Sequence, residues 1–180
     1  GLYQHYKKIA DLVDIPQILY NVPGRTSVDM QPETVLRLST HKNIVGIKEA
    51  SGNKDRSLSL MKLCSKDIKI FTGDDKTSMS DISDGFSGNI SVTANVAPLE
   101  MHQMCQSALE GDIENASKLN SNLDILHDLL FCESNPIPVK WCLHKMGLIK
   151  KGIRLPLTWM DQKFDRPLTE GLIKSGIIDE

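Results

Sequence analysis

The chain has no apolar run approaching the roughly eighteen consecutive residues that read as a membrane-spanning helix, so no such span is expected. No signal-peptide pattern precedes the first predicted helix. An excess of one charge sign is missing too. With 21 Lys and Arg against 23 Asp and Glu, the net charge of -2 gives no reason to expect nucleic acid or an anionic membrane as partner. Cysteine is sparse: Cys64, Cys105, Cys132 and Cys142 form no C-x-x-C pair, and three fall on apolar faces of predicted helices. A free thiol packs there as a small hydrophobe, and a reducing cytoplasm is expected rather than a disulfide framework. The histidines at 5, 41, 102, 127 and 144 show no i,i+4 pairing and no shared cluster with carboxylates, so no metal site is expected. No G-x-G-x-x-G or Walker loop follows any predicted strand, which leaves a nucleotide-binding fold without support.

What is present is ordinary globular material: 180 residues, 40% hydrophobic and 24% charged, enough for a sizeable core. The chain begins with Gly1 rather than Met, and a processed product or a piece of something longer is the expectation. Residues 16–111 alternate short apolar runs with amphipathic stretches. The runs at 17–20, 43–48, 68–72 and 89–93 show little polar alternation, which suits strands covered on both faces. Between them, Pro32 opens a helix before Val35 and Leu38. A Ser51-Gly52-Asn53 turn precedes Leu58, Met61 and Cys64, and Pro98 opens a helix with Met101, Met104, Cys105, Ala108 and Leu109 on one face. Strand ends recur every 21 to 28 residues, the length of a right-handed crossover, so an α/β parallel sheet is predicted, either doubly wound or part of an eight-stranded barrel. Barrel geometry is preferred. Beyond Gly111 the strands stop. Ala116, Leu119, Leu123, Leu126 and Leu130 mark a long helix capped by Asp112, Pro138 opens another, and a final helix runs near 168–175. The expected division is therefore a sheet half, 1–111, and a helical C-terminal region, 112–180, packed on its outside.

In a parallel barrel, functional side chains project from the C-terminal ends of strands. Lys48 ends the apolar run 44–47, where partial burial lowers an ammonium's pKa and leaves a fraction as the amine that attacks a carbonyl. From that segment alone a solvated strand-end lysine is the commoner case. The segment Leu19-Tyr20-Asn21-Val22-Pro23-Gly24-Arg25-Thr26 shifts the balance. Tyr20 would lie on the neighbouring strand, about 4.8 Å away, as a phenol able to shuttle protons. Arg25, on a loop stiffened by Pro23, offers a fork for a carboxylate.

The segments ILYNVPGRT, NIVGIKEASGN, FTGDD, GNISVTANV and NPIPVKW occur in one order, and on them the chain closely resembles the dihydrodipicolinate synthases. These belong to the pyruvate-dependent class I aldolases, which include N-acetylneuraminate lyase. The resemblance implies strands 5 to 8 of a TIM barrel followed by a helical region, in a homo-oligomer that is often a tetramer. It implies a cytoplasmic lyase of lysine and diaminopimelate biosynthesis, condensing pyruvate with aspartate semialdehyde and needing no cofactor beyond the Schiff base itself. Lys48 would form that Schiff base, Tyr20 would relay protons, Arg25 would orient the semialdehyde carboxylate, and Gly73 and Ile90 would line the pocket. Neuraminate lyases lack an arginine at the place of Arg25, which makes it the discriminating residue. The first half-barrel, with the family's threonine pair, a tyrosine contributed across a dimer and most of the lysine feedback site, has no counterpart in these residues. Three readings of that difference stand: a fragment of the full enzyme, a half-barrel that pairs with another polypeptide or with itself, or a non-catalytic interaction protein.

Other residues read more plainly. Glu49 alternates to the face opposite Lys48 and is expected to make an ion pair or hydrogen bond behind the strand. Asp74 and Asp75 suggest a magnesium site but fit helix capping better. Trp141 and Trp159 are read as packing residues and Lys140 as solvated. Ile18, Ile44, Ile70 and Ile90 are the expected inward side chains of the half-barrel.

Overall fold

A computed structural model describes residues 1–179 and divides them into two units, one of residues 1–90 and one beginning at Ser91. In the first, helices and strands alternate: α1 (Leu2–Leu12), β1 (Gln17–Asn21), the single turn α2 (Pro23–Thr26), α3 (Pro32–Ser39), β2 (Ile44–Glu49), α4 (Lys54–Cys64), β3 (Lys69–Thr72) and α5 (Ser78–Ser83). The strands pair in parallel in the order β1-β2-β3, with Tyr20 opposite Lys48 and Lys48 opposite Phe71. Because successive strand side chains alternate, Leu19, Ile47 and Ile70 share one face, each 2% exposed or less, and form a core with Val35, Leu38 and Leu60. The opposite face carries Ile18, Tyr20, Lys48 and Phe71.

That parity corrects the expected inward set. Ile70 pairs with Ile47 on the covered face and is only 2% exposed, whereas Ile18 at 47% and Ile90 at 39% are open; Ile44 keeps the parity of Lys48 but is also buried. The helix α4 is also turned from its expected orientation. Asn53 starts it by accepting the Arg56 N–H at 3.1 Å, and the residues it buries are Arg56, Ser57, Leu60 and Cys64, while Leu58 faces outward.

The predicted strand over 89–93 is much shorter than expected. Ser87 N–H donates to Ile70 O, Thr72 N–H to Gly88 O and Ile90 N–H to Thr72 O, so a few residues do run beside β3, but only Thr72 and Asn89 form a bridge. The pairing ends where the Ser91 hydroxyl accepts the Ala94 N–H at 2.8 Å and starts a 3-10 turn over Thr93–Asn95. A serine hydroxyl offers the backbone a local partner in place of a ladder, and here it wins over the β-branched sequence.

The second unit is helical: that turn, then α6 (Pro98–Glu110), α7 (Ile113–Leu129), α8 (Ile137–Lys145), a 3-10 turn at Gln162–Phe164 and α9 (Asp165–Lys174). Gly111, at φ 81°, ends α6 in the left-handed region, and the Asp112 carboxylate accepts the Asn115 N–H to start α7. Ala116, Leu123, Leu126 and Leu130 are fully buried with Leu168 and Leu172 of α9 and Met104 of α6. Leu109, expected on the buried face of α6, is 51% exposed, and Ser107 takes its place inside. Lys140 is half-buried and its ammonium donates to the Gly152 carbonyl, rather than being simply solvated. Among the described residues no helix is long and apolar enough to cross a membrane.

Candidate active site

Lys48 and Tyr20 are cross-strand partners one residue from the C-terminal ends of β2 and β1. Their side chains share the open face, with the Lys48 Nζ 4.4 Å from the centre of the Tyr20 ring. Half-burial holds the Lys48 amine below the usual lysine range; the Asp75 carboxylate pulls it back up and the Arg25 guanidinium pushes it down. An amine so placed is a nucleophile with a phenol beside it.

Arg25 sits on α2, a turn of helix rather than the irregular loop the sequence suggests. Pro23 supplies its first position and Ser27 closes it in the left-handed region, at φ 54°, with its N–H donated to the Pro23 carbonyl at 2.9 Å. The Arg25 side chain is exposed and has no ion-pair partner among the described residues, which leaves its fork available.

Gly73 follows β3 and donates its N–H to the Glu49 carbonyl at 2.7 Å. A Cβ placed on it would overlap the Lys48 Cε and stand 2.9 Å from the Ala50 Cβ and 3.0 Å from the Lys48 Cγ. The missing side chain is therefore the space through which the lysine stem runs. Ile90 is half-exposed beside β3, tied to it by the bond to the Thr72 carbonyl.

The aspartates divide. Asp74 accepts the Thr77 N–H at 3.1 Å in the turn before α5, whose N-cap, Thr77, has no side-chain cap bond, so Asp74 does not cap the helix as expected. Asp75 is instead buried, takes the Asn89 amide at 2.9 Å and acts electrostatically on Lys48. Glu49 is buried behind the strand: it accepts the Ser51 N–H at 2.8 Å and pairs with Arg56 Nε at 2.6 Å. Among the described residues no group of three or more His, Cys, Asp or Glu is arranged to hold a metal.

Residues 1–174 match the dihydrodipicolinate synthetase family. The chain belongs to that family. It is 56% identical over 178 residues to the 4-hydroxy-tetrahydrodipicolinate synthase of Pseudomonas putida (strain W619) and 53% to that of Pseudomonas aeruginosa, in each case over 99% of this chain and 61% of the relative. Among solved structures it superposes with a TM-score of 0.97, at 50% identity, on a chloride-inhibited dihydrodipicolinate synthase from Acinetobacter baumannii complexed with pyruvate, covering 99% of this chain and 61% of that one. With the Thermotoga maritima dihydrodipicolinate synthase the TM-score is 0.96 at 39% identity, over 99% of this chain and 62% of the other. The chain thus spans about 61% of the length of the curated relatives it matches.

Two features of this dihydrodipicolinate synthetase family member were not foreseen from its sequence. Asp75 is the carboxylate that acts on Lys48, and Arg56 is buried among polar partners. The parity that turns Glu49 to the covered face was the available signal for the second, because a buried carboxylate demands a cation.

Proposed function

We propose that the complete protein containing this chain condenses pyruvate with L-aspartate 4-semialdehyde to give 4-hydroxy-tetrahydrodipicolinate, a lyase step of lysine and diaminopimelate biosynthesis. The observation that carries this reading is the register pairing of Tyr20 with Lys48, the amine resting over the phenol ring at a strand end. The Lys48 amine adds to the C2 carbonyl of pyruvate, and loss of water leaves an imine whose nitrogen draws electrons from C3. Tyr20 moves the protons of addition and dehydration. Arg25 takes the carboxylate of the semialdehyde in its fork, while Gly73 and Ile90 line the pocket. No metal or resident cofactor is required, because the imine itself serves as the electron sink. The pyruvate complex described for the Acinetobacter baumannii relative and the shared name of the curated relatives support this assignment.

The three parallel strands and the short pairing beside β3 would be strands 5 to 8 of a TIM barrel, with α6 as its eighth helix. Residues 1–111 then form the half-barrel and 112–180 the helical region. The complete protein is a cytoplasmic homotetramer in this reading, which sedimentation of the full-length enzyme tests. For the chemistry, the full-length protein is incubated with pyruvate and reduced with borohydride. The tryptic peptide carrying Lys48 should gain the pyruvyl mass; labelling elsewhere with Lys48 untouched overturns the assignment. Turnover of N-acetylneuraminate with no turnover of aspartate semialdehyde would overturn the substrate.

A further inference from the structure

Tyr20 and Lys48 share the open face of the sheet, so the residues that follow them, Asn21 and Glu49, turn to the covered face and are themselves a register pair. Both are buried. The Asn21 amide donates to Glu49 at 3.1 and 3.3 Å and to Asp29 at 2.9 Å, and its oxygen accepts the Met30 N–H at 2.9 Å. Into this group comes Arg56 from α4, itself 8% exposed. Its Nε donates to Glu49 Oε2 at 2.6 Å, its Nη1 pairs with Asp29 at 3.1 Å, and its Nη2 donates to the Met30 carbonyl. One guanidinium thereby joins the residue after Lys48 to the segment that leads away from the Arg25 turn.

We propose that Arg56 is a positioning residue for the reaction at Lys48, holding the lysine strand through Glu49 and the Arg25 turn through Asp29 and Met30. This inference rests on the reading of Lys48 as the imine-forming amine and Arg25 as the carboxylate reader. Stability is a poor reason for such a group, since a buried ion pair gains little over apolar residues of the same size. What the planar fork supplies is geometry: three nitrogens fixed on three acceptors in two different chain segments. Lysine cannot reproduce that, because its three N–H donors radiate from one nitrogen and cannot span acceptors spaced for a planar fork. Small displacements of reacting groups cost rate steeply, so the spacing between amine and carboxylate site is where the effect should appear.

The test compares Arg56→Lys and the double variant Glu49→Gln/Arg56→Met in the full-length protein. Folding is read by near-ultraviolet circular dichroism. The rate of borohydride-trapped pyruvate adduct at Lys48, and kcat and KM for each substrate, are then measured. Arg56→Lys keeps a cation beside Glu49 but releases Met30 and Asp29. Its adduct rate should stay within about twofold of wild type while the KM for the semialdehyde rises about tenfold. The double variant should lose both, with adduct formation slowed about tenfold or more. Such a split is not expected of a residue that only stabilises the fold. Wild-type adduct rate and wild-type KM in folded Arg56→Lys overturn the proposal, even where the double variant fails to fold. If the wild-type protein itself traps no pyruvate at Lys48, the functional reading falls first and this inference with it.

Discussion

Gly73→Ala is the smallest change that should disturb the Lys48 amine without touching it chemically. The position has no positive φ, so alanine suffers no backbone strain there, and any penalty must come from the added methyl group. That methyl overlaps the Lys48 Cε and presses on the Lys48 Cγ at 3.0 Å and the Ala50 Cβ at 2.9 Å. Two of the three clashes are with the lysine stem, which can swing, and one is with a Cβ fixed to the backbone. An added methylene in a filled site costs about 1–3 kcal/mol. A side chain forced some 30° from its rotamer accounts for about 0.5–1.5 kcal/mol of that. Denaturant melts of Gly73→Ala should thus show a loss of about 1–3 kcal/mol, and the borohydride-trapped pyruvate adduct should form about tenfold more slowly as the amine leaves Tyr20.

A thermodynamic cycle separates the causes. In a Lys48→Ala background the stem is gone, and Gly73→Ala should cost less by the lysine share, about 0.5–1.5 kcal/mol. The residual cost belongs to Ala50. Strict additivity of the two substitutions, together with an unchanged adduct rate in Gly73→Ala, would refute the idea that Gly73 exists to make room for the lysine.

Arg25→Ala should lower kcat/KM for the semialdehyde by about 1.5–3 kcal/mol while the pyruvate adduct at Lys48 still forms, because only the charge-assisted pair is lost. Burial lowers the Lys48 pKa in the folded state, so the trapping rate should rise with pH to a midpoint below 10.5, the ordinary lysine value. The linkage sign follows: between the folded and unfolded midpoints the unfolded chain binds more protons, and Lys48 contributes stability that increases as pH rises through that window. Burial pushes the Cys142 thiol up to about 12 and the Cys64 thiol up to about 11. Iodoacetamide at pH 8 should leave both unlabelled until the protein is unfolded, as mass spectrometry of the peptides would show. Residues 1–180 produced alone leave Ile18 and Tyr20 open at an unpaired β1 edge and Ile90 open beside β3, and sedimentation should show self-association; a compact active monomer would contradict the half-barrel assignment.

The strand-end residues were legible because their chemistry is local: an apolar run closed by Lys48, and a tyrosine three residues before Pro23 and its turn. Glu49 was legible from alternation alone. Ile70 was misread although Lys69, exposed directly before it, marks the alternation that turns Ile70 to the covered face. The helix α4 was misread for a different reason. Leu58 and Met61 promised an apolar face, but Arg56, Leu60 and Cys64 at spacings of four are the buried row, because Glu49 and Met30 draw the guanidinium inward. A polar residue that orients a helix cannot be told from a solvated one until its partner, here 7 residues away on another element, is in place. Ser91 ended a predicted strand by the same kind of competition, its hydroxyl capturing a backbone N–H inside a sequence of good strand formers.

The buried pair also bears on why the sheet has one register. Apolar parity already sets Leu19, Ile47 and Ile70 against the helices, yet in strands this short only a few side chains enforce it. A slip of one residue in β2 would bring Lys48 to the covered face and turn Glu49 to the open one. Arg56 would then face an ammonium in place of its buried carboxylate, leaving the half-exposed Asp29 as the one carboxylate beside it, a cost of about 3–5 kcal/mol when one partner of a buried pair is lost. Asn21 would lose Glu49 at the same time. The polar and apolar residues of β1 and β2 therefore select the same register, and it is the one that sets the Lys48 amine over the Tyr20 ring.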